Sequence, residues 1–154
     1  MGTVIIYANG ACSGNPGQGG WAARILDEDH KDKDPMCGTV PNTTNNRMEL
    51  MGVIKALEQL KEVSEVELYS DSKYVIDGLR KGWAEDWKKN EWVKNDGKYA
   101  KNADLWEQLL KLCEKRAVHP NWIHQEGGNT YHAECNAVAK ECSKRRGETW
   151  ERVF

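Results

Sequence analysis

The sequence has no long apolar run. Nothing in it approaches the roughly 20 consecutive apolar residues that cross a bilayer, and Met1 is followed almost at once by a strand-like segment. We therefore expect neither a membrane span nor a secretory signal, and we predict a soluble, cytoplasmic protein. Cysteines are few, odd in number and without CxxC spacing, so a disulfide framework and a zinc site are not expected. We predict reduced thiols at Cys12, Cys37, Cys113, Cys135 and Cys142.

The composition is sufficient for a hydrophobic core. The chain has 154 residues, of which 39% are hydrophobic and 30% charged, which is typical of one globular domain over residues 1–154. The formal net charge of −2 argues against a protein that coats nucleic acid without specificity, so local charge must decide. We see no internal repeat, and we expect a monomer.

The first half of the chain is predicted to form strands and then a helix. Apolar runs predict strands at Thr3–Cys12, Trp21–Asp27 and Met36–Val40. The glycine-rich stretch Ser13–Gly20 is predicted to be the turn between the first two. In TTNNRMELMGVIKALEQL the apolar residues fall at helical spacing, and the candidate N-caps are Thr43, Thr44 and Asn45.

The second half alternates between strands and helices. Strands are predicted at Glu65–Asp71 and in VHPNWIHQ, and helices in SKYVIDGLRKG, in ADLWEQLLKLCEKR and over Tyr131–Ser143. A hairpin meander followed by this alternation predicts an α/β fold with a five-stranded mixed sheet flanked by helices. Three strands would be antiparallel and the others parallel.

Two acids occupy positions where burial is expected. Glu49 lies at the margin of the apolar arc of the first helix, and Asp71 ends a strand in the crevice where open α/β sheets bind ligands. Each has a structural alternative, because Glu49 favours a helix N-terminus and Asp71 is a good N-cap. Together they indicate a site for a hard divalent cation. Asn9, near the end of the first strand, is an amide where a charged catalytic group is usual.

Five blocks of the sequence occur in a known order and spacing: NGACSGNPGQGGW, TTNNRMELM, YSDSKYVIDGL, WKKNEW and KNADLW. They resemble the bacterial form of ribonuclease H, type 1, over about Thr3 to Lys144. The resemblance implies a ribonuclease H-like fold that cleaves the RNA strand of RNA–DNA hybrids. It also implies two Mg²⁺ (or Mn²⁺) ions held by an Asp, Glu, Asp, Asp set, assisted by a loop histidine. The matching metal positions here are Asn9, Glu49, Asp71 and Asn136, and the histidine position is Glu126.

The two amides remove negative charge from the implied metal site. Two cations about 4 Å apart repel one another unless anionic ligands neutralise them, and an amide oxygen supplies no charge. We therefore expect weakened metal binding and strongly impaired cleavage. Glu126 cannot donate a proton as an imidazolium does. His124 and His132 are candidate replacements, and the alternative for both is ordinary polar surface.

A basic protrusion is implied at about residues 80–102. The segment from Gly78 to Asn102 carries seven cations against four acids, and in the family it grips the DNA strand through phosphate contacts supported by packed aromatics. The implied substrate-binding residues there are Trp83, Trp87, Lys88, Lys89 and Lys101. The positions implied to meet the minor groove are Asn15, Asn45 and Asn46. Alternatively, the tryptophans form the core of a small subdomain and the lysines its solvated face.

Three functions are compatible with the sequence. The preferred one is a ribonuclease H-like domain that recognises RNA–DNA hybrids but is strongly impaired in cleavage. The second is an active hybrid endonuclease with a rearranged ligand set formed by Asn9, Glu49, Asp71, Glu126 and Asn136. The third is a fold retained as a scaffold for a protein partner.

Asn9 is also a candidate for spontaneous chemistry. It precedes Gly10, and asparagine before glycine is prone to deamidation because no side chain hinders attack by the next backbone nitrogen. The product would include the aspartate that the implied metal site lacks. The alternative is that a buried strand prevents the attack.

Overall fold

Secondary structure follows the predicted order along the chain. The computed structural model describes residues 2–60, 65–124, 129–145 and 150–153. Within them the strands are β1 (Thr3–Cys12), β2 (Gly17–Leu26), β3 (Met36–Thr43), β4 (Glu65–Ser70), β5 (Ala117–Trp122) and β6 (Trp150–Arg152). The helices are α1 (Asn45–Glu58), α2 (Lys73–Arg80), α3 (Trp83–Lys89), α4 (Ala103–Cys113) and α5 (Thr130–Ser143).

The strands form one mixed sheet in the order β5-β4-β1-β2-β3-β6. β1, β2 and β3 are antiparallel neighbours, whereas β4 pairs in parallel with β1 and β5 in parallel with β4. The predicted α/β class and mixed sheet are confirmed. The number of strands is six instead of five, because β6 adds antiparallel to β3. A strand of three residues is too short to show a period of two in the sequence.

Several boundaries and one helix also differ from the prediction. β3 continues past the predicted end at Val40 to Thr43. β2 begins at Gly17, inside the stretch predicted to be a turn, because Gly17, Gly19 and Gly20 pair with β3. α3 was not predicted as a helix, because its seven residues are too few to show a clear helical period.

The two faces of the sheet are covered by different helices. α1 begins after Thr44, whose side chain accepts a hydrogen bond from the backbone N–H of Arg47 at 3.3 Å, so Thr44 is the N-cap. The apolar residues whose helical spacing predicted α1 are buried in the larger hydrophobic core. Side chains of α4 belong to the same core. α5 packs on the opposite face, over β1, β2 and β3. None of the helices in the described ranges combines the length and apolar character needed to span a membrane.

Candidate functional site

Asn9 and Asp71 lie side by side near the carboxyl ends of two parallel strands. β1 and β4 pair with Tyr7 opposite Tyr69, and two more residues of this register bring Asn9 level with Asp71. This end of a parallel pair is where open α/β sheets form ligand sites. Asn9 is 1% exposed and Asp71 is half-buried. The Asp71 side chain does not cap α2, because Ser72 is the N-cap.

Glu49 reaches the same place from α1. A Cβ atom on Gly10 would lie 2.5 Å from the backbone nitrogen of Glu49, so only glycine allows α1 to approach β1 this closely. The Gly10 N–H donates to Glu49 Oε1 at 3.0 Å, while Oε2 is buried without a hydrogen-bond partner in the described structure. Burial, and then the charge of Asp71, raises the pKa of Glu49 to about 8. A buried carboxyl group with an unpaired oxygen beside a second carboxylate is a favourable position for a cation.

The side-chain amide of Asn9 links Asp71 to α5. In one amide orientation, Asn9 Nδ2 donates only to the backbone carbonyl of His132, at 3.3 Å. In the opposite orientation, Nδ2 donates to Asp71 Oδ1 at 3.3 Å and the amide oxygen accepts from the backbone N–H of Asn136 at 3.0 Å. We adopt the second orientation because it makes two hydrogen bonds. Asn9 therefore acts as a donor towards Asp71, which an aspartate in its place could not do.

His132 is buried against Asp71. It is 2% exposed, and its Nε2 lies 3.5 Å from Asp71 Oδ2. Neither ring nitrogen has a hydrogen-bond partner within the described residues. Ordinary polar surface, the alternative considered from the sequence, is therefore wrong for His132. The spacing does hold a signal, because His132 precedes Asn136 by four residues and so shares its helix face.

The other candidate replacement for the loop histidine, His124, lies at the surface. Its ring lies against that of Trp122, with centroids 4.3 Å apart. Glu126 lies outside the described residues, so its role stays a prediction.

A cavity of about 730 Å³ opens over these groups. Its lining includes Glu49, Asp71 and Asn136 together with the two predicted minor-groove residues, Asn45 and Asn46. Asn15 lies beside them, since its Oδ1 accepts from the Asn45 N–H at 3.1 Å. The structure therefore brings the implied metal-binding and minor-groove residues to one opening.

Three lysines in the lining of this cavity were missed from the sequence: Lys73, Lys140 and Lys144. The signal was available for two of them, because Lys140 and Lys144 follow Asn136 at intervals of four along α5. A larger cavity, of about 1030 Å³, lies elsewhere and is lined by Asp27 and His30 of the turn after β2. We place the site at the smaller cavity because its lining includes the buried carboxyl group of Glu49 and Asp71, which follows the end of β4.

Comparison with known proteins identifies the family. The family model for RNase H matches residues 1–144. The chain belongs to the ribonuclease H family. The Ribonuclease H of Trichodesmium erythraeum is 46% identical over 142 residues, which cover 92% of this chain and 89% of that protein. The Ribonuclease HI of Synechocystis sp. is 47% identical over 137 residues, which cover 89% of this chain and 85% of that protein.

Solved structures confirm the ribonuclease H fold. The crystal structure of LC9-RNase H1, a type 1 RNase H with the type 2 active-site motif, superposes with a TM-score of 0.76 at 26% identity, covering 92% of this chain and 72% of that one. LC11-RNase H1 in complex with RNA/DNA hybrid gives a TM-score of 0.64 at 22% identity, covering 90% and 97% of the two chains. At this identity, the similarity to LC11-RNase H1 shows a shared fold only.

The segment predicted to be a basic protrusion contains α3 and the residues that lead to α4. Trp87 packs edge-on against the buried Trp106, with ring centroids 6.1 Å apart, whereas Trp83 is 41% exposed. Lys88 Nζ lies 3.7 Å from a carboxylate oxygen of Glu114. Its charge is thus partly neutralised, which the sequence could not show because Glu114 is remote along the chain. Trp87 packs against the core, as the structural alternative expects, and its substrate-binding role stays a prediction.

Of the three lysines predicted to meet phosphate, Lys89 and Lys101 have the more available charge. Both are exposed, and neither has an ion-pair partner within the described part of the chain. The charges of Lys89 and Lys101 are therefore available for the predicted phosphate contacts, whereas the charge of Lys88 is partly neutralised by Glu114.

The donor set of the ribonuclease H site fits a divalent cation. Glu49 Oε2 is the orphaned buried oxygen, and Asp71 and Asn136 add further oxygen donors of the kind that Mg²⁺ prefers. Asn9 would add its amide oxygen after its amide turns over, because in the adopted orientation that oxygen accepts from the Asn136 N–H. Among the described residues no three His, Cys, Asp or Glu side chains are grouped to hold a metal.

Proposed function

We propose that this ribonuclease H-family chain recognises RNA–DNA hybrids and cleaves their RNA strand slowly or not at all. The observation that carries the proposal is the hydrogen bond from the Asn9 amide to Asp71. An aspartate at position 9 would repel Asp71 and Glu49, so the three groups would need a cation to stay together. Asn9 removes that repulsion, and with it the electrostatic demand for a metal.

The proton on Glu49 further lowers the affinity of the site for a cation. Because the pKa of Glu49 is about 8 in the absence of metal, a cation must displace its proton at neutral pH. This competition lowers metal affinity relative to a site with four ionised carboxylates.

Glu49 and Asp71, with the amide oxygens of Asn9 and Asn136, are the residues that would hold Mg²⁺ or Mn²⁺. A bound cation in such a site polarises the phosphoryl oxygen and acidifies the attacking water. Mn²⁺ binds mixed nitrogen and oxygen sites more tightly than Mg²⁺ in general, so we expect it to support more of whatever cleavage remains.

Hybrid recognition is supported by groups that do not depend on the substituted positions. Asn45 and Asn46 offer amides to 2′-hydroxyls and sugar oxygens, and Lys140 and Lys144 offer charge to phosphates at the same cavity. LC11-RNase H1, which shares the fold, was solved with an RNA/DNA hybrid. The cytoplasmic location and monomeric state expected from the sequence stay predictions.

The test compares cleavage and binding in four proteins. A labelled RNA–DNA hybrid is incubated with the unmodified chain, Asn9→Asp, Asn136→Asp and the double variant, in Mg²⁺ and separately in Mn²⁺, and hybrid affinity is measured in EDTA. We expect the double variant to cleave orders of magnitude faster than the unmodified chain. Asn9→Asp should contribute more than Asn136→Asp, because the Asn9 side chain contacts Asp71 directly. Asn42→Asp, at an exposed position of β3, is the matched control and should change neither quantity.

Two outcomes would replace the proposal. If the unmodified chain cleaves as fast as the double variant, the chain is an active endonuclease with a rearranged ligand set. If it does not bind hybrid in EDTA at low salt, while remaining folded, recognition has been lost and the scaffold hypothesis takes its place.

A further inference from the structure

Two cysteine thiols meet between β3 and the last turn of α5. Cys37 and Cys142 are 2% and 5% exposed, and they belong to the same small cluster of buried side chains. The Thr39 hydroxyl donates to the backbone carbonyl of Cys142 at 2.8 Å, which fixes this end of the helix over β3. The contact is therefore held by groups on both elements, and one strand separates it from Asn9, because Ala22 of β2 pairs with both Asn9 and Cys37.

The close approach of helix and sheet depends on small residues. Ala22 and Ala139 pack with the two cysteines in a compact cluster. A Cβ atom on Gly20 would lie 2.5 Å from the backbone nitrogen of Ser143, so the helix backbone rests directly on the sheet. Such contact lets a helix side chain and a strand side chain pack against each other, as a disulfide between β3 and α5 requires.

The environment of the pair differs between the two sulfur atoms. A cavity of about 440 Å³ reaches both thiols, and the charged residues in its lining are Glu141, Lys144, Arg145 and Arg152. The hydrogen bond from the Cys142 thiol, aided by Arg152 and Arg145, lowers the pKa of Cys37 to about 7 against the opposing effect of burial. The same hydrogen bond, together with burial, raises the pKa of Cys142. Cys37 is thus the nucleophilic member and Cys142 its proton donor.

Other cysteines in the chain show what a purely structural thiol looks like. Cys135 is fully buried, and burial raises its pKa to about 12. Burial likewise raises the pKa of Cys113 to about 11. Neither lies in the lining of the cavity beside Cys37, so the two serve as internal references.

We propose that Cys37 and Cys142 are a peroxide-responsive pair that closes to a disulfide between β3 and α5. The Cys37 thiolate attacks one oxygen of hydrogen peroxide, the O–O bond breaks, and the leaving hydroxide takes up a proton to become water. The resulting sulfenic acid is attacked by the Cys142 sulfur, the S–O bond breaks, and the thiol proton leaves with the hydroxide as a second water. Two thiols and one peroxide thus give one disulfide and two waters, independently of hybrid binding or cleavage.

The decisive experiment maps the cross-link in the unmodified protein. Reduced protein is freed of reductant, treated with hydrogen peroxide, denatured in N-ethylmaleimide and digested without reduction for mass spectrometry. We expect one linked pair of peptides, containing Cys37 and Cys142, that dithiothreitol separates. The remaining three cysteines should be alkylated. Alkylation of both Cys37 and Cys142 after treatment, or links that omit them, would overturn the proposal.

Variants test the assigned roles. Cys37→Ser and Cys142→Ser should each abolish the link, whereas Cys113→Ser should retain it. In Cys142→Ser the sulfenic acid should persist on Cys37 and be trapped by dimedone. Preferential trapping on Cys142 in the Cys37→Ser variant would contradict the order of steps. A variant that fails to fold leaves the result on the unmodified protein decisive.

Discussion

Glu49 should make the stability of the metal-free protein depend on pH. It is 4% exposed, and its pKa is raised from 4.5 to about 8, first by burial and then by Asp71. Between these two values the folded chain holds a proton that the unfolded chain has released. The free energy of unfolding therefore falls as pH rises through this window, by about 1.4 kcal/mol per pH unit and on the order of 5 kcal/mol in total.

Glu49→Gln removes this dependence. The amide is neutral at every pH and its oxygen can still accept the Gly10 N–H, so the variant should match the unmodified chain near pH 4.5. At pH 8 it should be more stable by several kcal/mol. Urea unfolding in EDTA across this range measures the difference. Glu58→Gln, at an exposed position at the end of the same helix, is the control and should leave the pH dependence unchanged.

Addition of Mg²⁺ extends the same measurement to the metal. A cation that binds the Glu49 carboxylate should stabilise the unmodified chain at pH 8 more than it stabilises Glu49→Gln. The difference in free energy of unfolding between the two proteins should therefore become smaller. The difference in free energy of unfolding between the unmodified chain and Glu49→Gln could also stay constant with pH in EDTA. That outcome would show that Glu49 is ionised in the folded state. That result would refute the assignment of a raised pKa.

Three further perturbations test other parts of the molecule. Lys89→Ala with Lys101→Ala should weaken hybrid binding and reduce the slope of log affinity against log salt by about 1 to 2, whereas Lys31→Ala, in the turn after β2, should change neither. Asn9 should keep its amide when the folded protein is held at mildly alkaline pH and lose it in urea, because the following backbone N–H is bound to a carboxylate oxygen; peptide mass that shows conversion in the folded state would contradict this. Thr44→Ala should lower the free energy of unfolding by about 1 kcal/mol in a denaturant titration, and an unchanged midpoint would show that the N-cap is dispensable.

Local periodicity predicted most of the fold. The bounds of β1 agree with the prediction at both ends, because a continuous apolar run leads into glycine and cysteine. α1 was predicted from apolar spacing and a threonine cap, both of which the structure contains. These features depend on residues a few positions apart, so the sequence alone is sufficient to show them.

Tertiary packing decided what could not be predicted. His132 is buried because α5 lies across β1, and its spacing from Asn136 indicated a shared helix face without showing that this face is covered by the sheet. The donor role of Asn9 depends on Asp71 and Asn136, which lie on separate elements. The implied site residues were identified through the resemblance, whereas their hydrogen bonds required the structure.

The two edges of the sheet both limit self-association of this chain through strand addition. At one edge, β5 carries Pro120, which has no N–H to offer to an incoming strand. At the other, β3 has its central residues paired with β6. Loss of β6 would leave Cys37–Thr39 with free backbone donors and acceptors along an extended, largely apolar segment. A chain shortened before Trp150 should therefore show concentration-dependent self-association through strand addition at β3, with light scattering rising well below the temperature at which the full chain aggregates.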